Sequence, residues 1–331
     1  MKRALLVLCV LSVLLASAIT VGAPKMKVML YSSMKDSQLS ALQKAFSKKY
    51  PDIVFDYYTA GTGKVLTKLA AEQQAGGIAA DMIWVGEPTN YVEFKQQGLL
   101  EKYVSPEAKT INAIYKDKDG YYCGARIVGL GIAYNTNNVK GKDIPKDWSD
   151  LLNPKFKGFL GMTDPAFSGT TLYTVAAFVQ SPKYGYDFLK ALKANDIKLV
   201  QGSSDSVTKV GSGEWDMSIA VDYIAKDQMG QGSPVGFVYP AGGASIVASP
   251  IAIVKGTKNL EAAKILYDYV LSLDGQKVLV EANTIPIRTE IKLPDVDLGK
   301  LLANALPVDD YKLVAEKEDM LDKFVEIMRK K

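Results

Sequence analysis

Histidine is missing from all 331 residues. Without it there is no Ser-His-Asp or Cys-His nucleophile system and no metal site built on imidazole. Cysteine is scarce as well, at Cys9 and Cys123. Cys9 sits in an N-terminal segment with the features of a removable leader, which leaves Cys123 alone and no intramolecular disulfide to form. Neither sign of charge is in large excess: Lys and Arg number 40 against 36 Asp and Glu. Discounting Lys2 and Arg3 leaves about +2, too weak and too evenly spread for a nucleic-acid surface. Beyond the leader no apolar run reaches the ~20 residues that cross a bilayer. Low-complexity tracts, close repeats and a flexible Pro/Ser linker are also missing.

What is present is a long chain, 48% hydrophobic and 23% charged, able to bury a large core and longer than one ordinary domain, so two lobes are expected. Its first residues, MKRALLVLCVLSVLLASAITVGA, place two cations before an apolar run from Ala4 to Ala18 and then the small residues Ala16-Ser17-Ala18 and Val21-Gly22-Ala23. This is the pattern of a Sec signal peptide over residues 1–23, with Cys9 too early for a lipoprotein cysteine. The mature protein is therefore expected in the periplasm.

Strand and helix patterns then alternate. KVMLYS reads as a strand, and SQLSALQKAFSKKYP as a helix with Leu39, Leu42 and Phe46 on one stripe, ended by Pro51. IVFDYYTA, the Gly-led GTGKVLTKLAAEQQAGG, ADMIWVG and PTNYVEFKQQGLL repeat the alternation. From Ala125 an extended run, ARIVGLGIAYN, leads to a second set of units, and ASPIAIVKG precedes an amphipathic helix from about Leu260 to Leu273. The class is α/β with mostly parallel sheets. The charged segment 291–331 reads as a helical tail packing across the lobes. Trp84 and Trp215 read as core, Trp148 as packing a helix start, and Glu214 and Asp216 as solvated. Tyr121 and Tyr122, if on a strand, face opposite sides and cannot share a pocket.

Four stretches in this order, DWSDLLNPKFKGFLGMTDP, SGTT, GEWDMSIAVDY and NLEAAKILYDYVLSLDGQKVL, resemble extracellular solute-binding proteins of ABC importers, more narrowly the ferric-ion-binding group and its relatives. The resemblance covers nearly all of the mature chain. It implies a type II periplasmic-binding fold: two α/β lobes joined by a hinge, with ligand in the cleft between them. The first lobe would comprise 24–128 and 246–331 with the helical tail, the second 129–245. It also implies an inner-membrane ABC permease as partner, a monomer, and binding without catalysis or cofactor.

In such a fold the crevice lies beyond the carboxyl ends of the strands, where helices begin and their free N–H groups favour anions. Four helix starts are candidates: Ser32 and Ser33, Gly61-Thr62-Gly63, Ser168-Gly169-Thr170, and the Ser203-to-Ser206 turn represented by Ser204. For any one alone, an N-cap or a tight turn explains the residues equally. Relatives in the ferric group bind an anion at the loop corresponding to Ser168, Gly169 and Thr170. They bind iron through a His, a Glu and two adjacent Tyr, to which Lys35, Glu87 and Asp222-Tyr223 correspond here. An ammonium in place of the His and the loss of one phenolate argue against a hard trivalent cation.

The expected ligand is accordingly a small anionic organophosphate or organophosphonate of the sugar phosphate, pyridoxal phosphate or aminoalkyl phosphonate type. Thr62, Gly63, Ser168, Gly169 and Thr170 would hold the phosphate, and Glu87 and Asp222 would read hydroxyls or an amine. Tyr223 would pack on the organic part, with Lys35 and Arg126 adding charge. The alternatives are ferric iron on Glu87, Asp222 and Tyr223, a thiamine-type cation, and, from another class, a secreted phosphate-ester hydrolase. A hydrolase would need a metal pair or an activated nucleophile.

Overall fold

The computed structural model describes residues 25–329, so the leader expected over residues 1–23 lies outside the described residues. Strand β1 (Met26–Ser32) pairs in parallel with β2 (Ile53–Thr59) and with β3 (Met82–Trp84). Between β1 and β2 runs helix α1 (Asp36–Lys49), whose Leu39, Leu42 and Phe46 are buried at helical spacing and which ends at Tyr50, just before Pro51. Helix α2 (Thr62–Gln74) returns the chain to β3, and α3 (Thr89–Gln96) stops before Gly98, whose φ of 69° only glycine adopts freely.

Two long strands join the halves. β4 (Cys123–Asn135) and β9 (Ser245–Ile253) pair antiparallel from Cys123 opposite Ile251 to Leu130 opposite Ser245. Beyond this ribbon come β5 (Leu160–Thr163), helices α4 (Gly169–Gln180) and α5 (Gly185–Ala194), β6 (Lys198–Val200), α6 (Ser203–Gly211), β7 (Met217–Val221), α7 (Asp222–Gly230) and β8 (Val235–Val238). The strand order among the described residues is β2-β1-β3-β9-β4-β7-β5-β6, with β8 also on β4. The sheet is mixed rather than mostly parallel: β1, β2 and β3 run together, as do β5, β6 and β7, while every partner of β4 and β9 is antiparallel. A crossover ribbon must run both ways, so it cannot be parallel.

The apolar side chains separate accordingly. Val28, Leu30, Phe46, Phe55, Trp84 and Ile251 belong to one core, and Leu130, Trp148, Met162, Phe178, Trp215 and Ile219 to another. The amphipathic helix expected to run to Leu273 ends as α8 (Leu260–Leu271), because Ser272 caps α9 (Leu273–Glu281) by accepting from the Gly275 N–H at 3.2 Å. After α10 (Leu298–Ala303), helix α11 (Asp310–Arg329) packs across both halves. Its Leu313, Met320, Phe324 and Met328 join the second core, Lys317 pairs with Glu93 of α3, and Arg329 pairs with Asp164 after β5. The buried apolar residues of this tail thus lie with the second core, while Lys317 reaches α3. Tyr121 and Tyr122 precede β4 instead of lying on it, and both border a surface groove beside Lys95 and Tyr311. No described helix is long and apolar enough to cross a membrane.

Candidate ligand-binding site

The carboxyl ends of the parallel strands of both halves meet at one cavity of about 280 Å³. From the first half, β1 delivers Ser33, Met34 and Lys35, and β2 delivers Thr59, Ala60, Gly61 and Thr62; from the second come Phe167, Ser168 and Thr170, then Gln201 to Ser204, then Val221, Tyr223 and Ile224. Arg126 completes the wall from the ribbon. The halves touch across this cleft. A Cβ on Gly63 would lie 2.8 Å from the Ala166 carbonyl, and one on Gly169 would lie 2.7 Å from Cβ of Glu87, so both positions exclude a side chain.

Three of the helices start here with no side-chain oxygen as cap: Lys35, Gly61 and Gly202 occupy the N-cap positions of α1, α2 and α6. The third N–H of each donates to the N-cap carbonyl, and the first two N–H groups and the positive ends of the dipoles have no side-chain cap. The fourth start is capped. Ser168 Oγ accepts from the Thr171 N–H at 3.3 Å and is also the centre of a hydroxyl cluster, with Thr170 Oγ1 at 3.1 Å, Thr171 Oγ1 at 3.1 Å and Ser203 Oγ at 3.2 Å.

Arg126 is 1% exposed, and burial lowers its pKa from the usual guanidinium value. Its Nη1 donates to Gln38 Oε1 at 3.1 Å, and its guanidinium carbon stands 5.2 Å from the Tyr223 ring centre and 5.9 Å from that of Trp84. Nε is the one buried side-chain nitrogen or oxygen among the described residues with no hydrogen-bond partner. The Tyr223 side chain and the Asp222 carboxylate favour its charge from nearby, but no carboxylate forms an ion pair with it among the described residues, which leaves the guanidinium able to take an anionic partner.

Of the residues expected at the site, Ser33, Lys35, Gly61, Thr62, Arg126, Ser168, Thr170, Ser204 and Tyr223 line the cavity together. Lys35 is not free: its Nζ donates to Asp227 of α7 at 2.8 Å, and Asp227 accepts from Asn283 Nδ2 at 2.7 Å, so this charge ties the two halves. Ser32, Gly63, Glu87, Gly169 and Asp222 are not on the lining. Ser32 Oγ donates to the Trp84 carbonyl at 2.7 Å and braces the turn after β1. Glu87, fully buried, accepts from the N–H of Thr89 at 2.7 Å and from its hydroxyl, and burial pushes its pKa up to about 7. Asp222 accepts from Gly129 N–H at 3.0 Å, Tyr239 OH at 2.8 Å and Tyr223 N–H at 2.6 Å, with burial pushing its pKa up to about 6. Both carboxylates are spent within the protein.

Sequence reasoning missed Thr59 and Gln201, although each stands at a strand end, the position that flagged its neighbours, while Ser203 belongs to the helix start it named. It also missed Gln38, the partner of Arg126. Its one signal is a polar residue on the buried stripe of Leu42 and Phe46.

Two α/β halves, a two-strand crossover and a cleft at facing helix starts define a two-lobed ligand-binding protein of the type II periplasmic kind. A profile of bacterial extracellular solute-binding proteins matches residues 79–305, and the chain belongs to that family. It is similar to a periplasmic protein of Salmonella typhimurium named for 2-aminoethylphosphonate binding, 27% identical over 76% of this chain and 74% of that one. The periplasmic binding protein AfuA of Actinobacillus pleuropneumoniae, solved with fructose-6-phosphate bound, superposes with a TM-score of 0.82 at 26% identity, over 92% of this chain and 98% of that one. Iron-bound HitA of Pseudomonas aeruginosa shares the fold, with a TM-score of 0.78 at 22% identity over 91% and 99%. The protein is the periplasmic solute-binding component of an ABC importer.

Proposed function

We propose that this protein binds a small organic molecule carrying a phosphate or phosphonate, and that closure of its lobes presents the loaded form to an inner-membrane permease with no bond broken. The observation that carries this reading is Arg126, a buried guanidinium without an ion-pair partner among the described residues, on the wall of a cavity ringed by helix starts without side-chain caps. An anion with several acceptor oxygens satisfies all of these donors at once.

The organic part is uncharged and hydroxyl-bearing in this reading. The charged side chains on the described lining are Lys35 and Arg126, and Lys35 is neutralised by Asp227. Glu87 and Asp222, which would hold an ammonium, are engaged inside the lobes. Thr59 and Ser203, whose hydroxyls donate within the protein, keep lone pairs to accept from ligand hydroxyls, and Tyr223 offers a hydrophobic face. A sugar phosphate suits this lining better than an aminoalkyl phosphonate, and the fructose-6-phosphate bound to AfuA supports that ordering. Ferric iron is disfavoured because the Arg126 guanidinium faces the Tyr223 ring, so a trivalent cation on that phenolate would meet a fixed positive charge.

Native mass spectrometry of the protein as purified, compared with its denatured mass, tests the reading. A released compound containing phosphorus is expected; an increment equal to iron overturns the proposal. Replacing Arg126→Gln should weaken binding of the released compound at least ~30-fold, the worth of a charge-assisted bond of about 2 kcal/mol. Unchanged affinity by calorimetry would mean the guanidinium does not meet the ligand.

A further inference from the structure

Arg126 reaches the cavity because its strand is irregular. On the ribbon Gly124 pairs with Pro250 and Arg126 with Ser249, which leaves Ala125 as the extra residue of a bulge. Bulges re-aim the side chain that follows them. This one is pinned by Gln276, whose Nε2 donates to the Ala125 carbonyl at 2.7 Å and to the Val270 carbonyl at 2.8 Å, while its Oε1 accepts from the Ile287 N–H at 2.8 Å.

The far end of the side chain is held by Gln38, itself 1% exposed. Gln38 Nε2 donates to the Ala282 carbonyl at 3.2 Å and to Thr284 Oγ1 at 2.9 Å. With the nitrogen committed to these acceptors, the amide oxygen must face the guanidinium, where it accepts from Nη1 at 3.1 Å. An amide orients a guanidinium without neutralising it. A glutamate of the same length would form a buried ion pair and cancel the charge.

We infer that Gln38 is a positioning residue of the anion site: it fixes Arg126 against the cavity and, being neutral, reserves the guanidinium charge for the ligand. This rests on the anionic-ligand reading above, and it adds a specificity determinant that touches no ligand. Here the identity of an uncharged residue behind the cavity wall decides whether the wall is cationic.

The test is calorimetric titration of protein stripped of ligand in denaturant and refolded, with inorganic phosphate, fructose 6-phosphate and 2-aminoethylphosphonate as probes. Gln38→Glu should weaken the best probe at least thirtyfold. Gln38→Met, which loses the hydrogen bond but keeps the charge, should weaken it by between threefold and tenfold. Affinity of the Glu variant within twofold of wild type overturns the inference, as does an equal loss in the Met variant, which would mark Gln38 as a packing residue only. Should the Glu variant fail to fold, Gln38→Met is compared in wild-type and Arg126→Gln backgrounds. Its cost must vanish in the second, because positioning acts through Arg126, and a cost that persists overturns the inference. Binding by wild type with no effect of Gln38 sinks the inference alone; no binding of any probe by wild type sinks the organophosphate reading with it.

Discussion

Glu87 shows how a single residue can be right in place and different in role. It stands after β3 as the resemblance implied, yet it is fully buried and turned onto Thr89, and burial raises its pKa from 4.5 to about 7. The sign follows directly. The folded state holds the proton to higher pH than the unfolded chain, so the contribution of Glu87 to stability is greatest below about 4.5 and falls as pH rises toward 7. The penalty is about 3 kcal/mol at most once both forms are ionised. Glu87→Gln keeps an acceptor for the Thr89 N–H without the charge, and its melting temperature should exceed that of wild type by far more at pH 8 than at pH 5. An equal gap at both values would rule out buried ionisation as the cause. The position of Glu87 could be read from the strand-then-helix order, but its orientation could not, because it depends on the neighbouring Thr89 and on Gly169 from the other lobe.

At the scale of elements, the helix starts do two jobs. Ser168 caps α4 and joins hydroxyls from α4 and α6 at the cavity wall, so Ser168→Ala removes both. The lost cap should cost about 1 kcal/mol in denaturant unfolding. Ligand affinity should also fall, by about tenfold in calorimetry. A stability loss with intact affinity would reduce Ser168 to a cap. The Ser-Gly-Thr-Thr motif was legible because its small polar residues precede an apolar helical run. The bulge at Ala125 was not, since ARIVGLGIAYN carries no mark of which residue is extra until β9 is laid against it.

For the whole molecule the relevant equilibrium is between closed and open lobes. Lys35 of the first half and Asp227 of the second are 26% and 19% exposed, and Asn283 holds the same carboxylate. A pair this accessible is worth about 1 kcal/mol or less. Asp227→Asn should therefore shift ligand-free protein toward the open form, visible as a larger radius of gyration in solution X-ray scattering, and weaken apparent affinity two- to fivefold. An unchanged radius together with unchanged affinity would show that the pair does not bear on closure. Helix α11, bound to Glu93 on one side and to the second core on the other, also spans the halves, as the ribbon of β4 and β9 does.

By itself the sequence determined the α/β class, the alternation of strands and helices, the helix starts that line the cleft and the lack of imidazole chemistry. These follow from periodicity, capping and composition, which act over a few residues at a time. Tertiary structure decided that the ribbon is antiparallel, that α11 shares its apolar side with the second core, and that Lys35 pairs with Asp227. It also decided that Glu87 and Asp222 turn inward while Arg126 stays without an ion-pair partner beside Gln38. Most of these rest on partners far apart in the chain, such as Lys35 with Asp227 and Gln38 with Arg126, and the charge left over in a cavity is known only when every nearby charge has found, or failed to find, its mate.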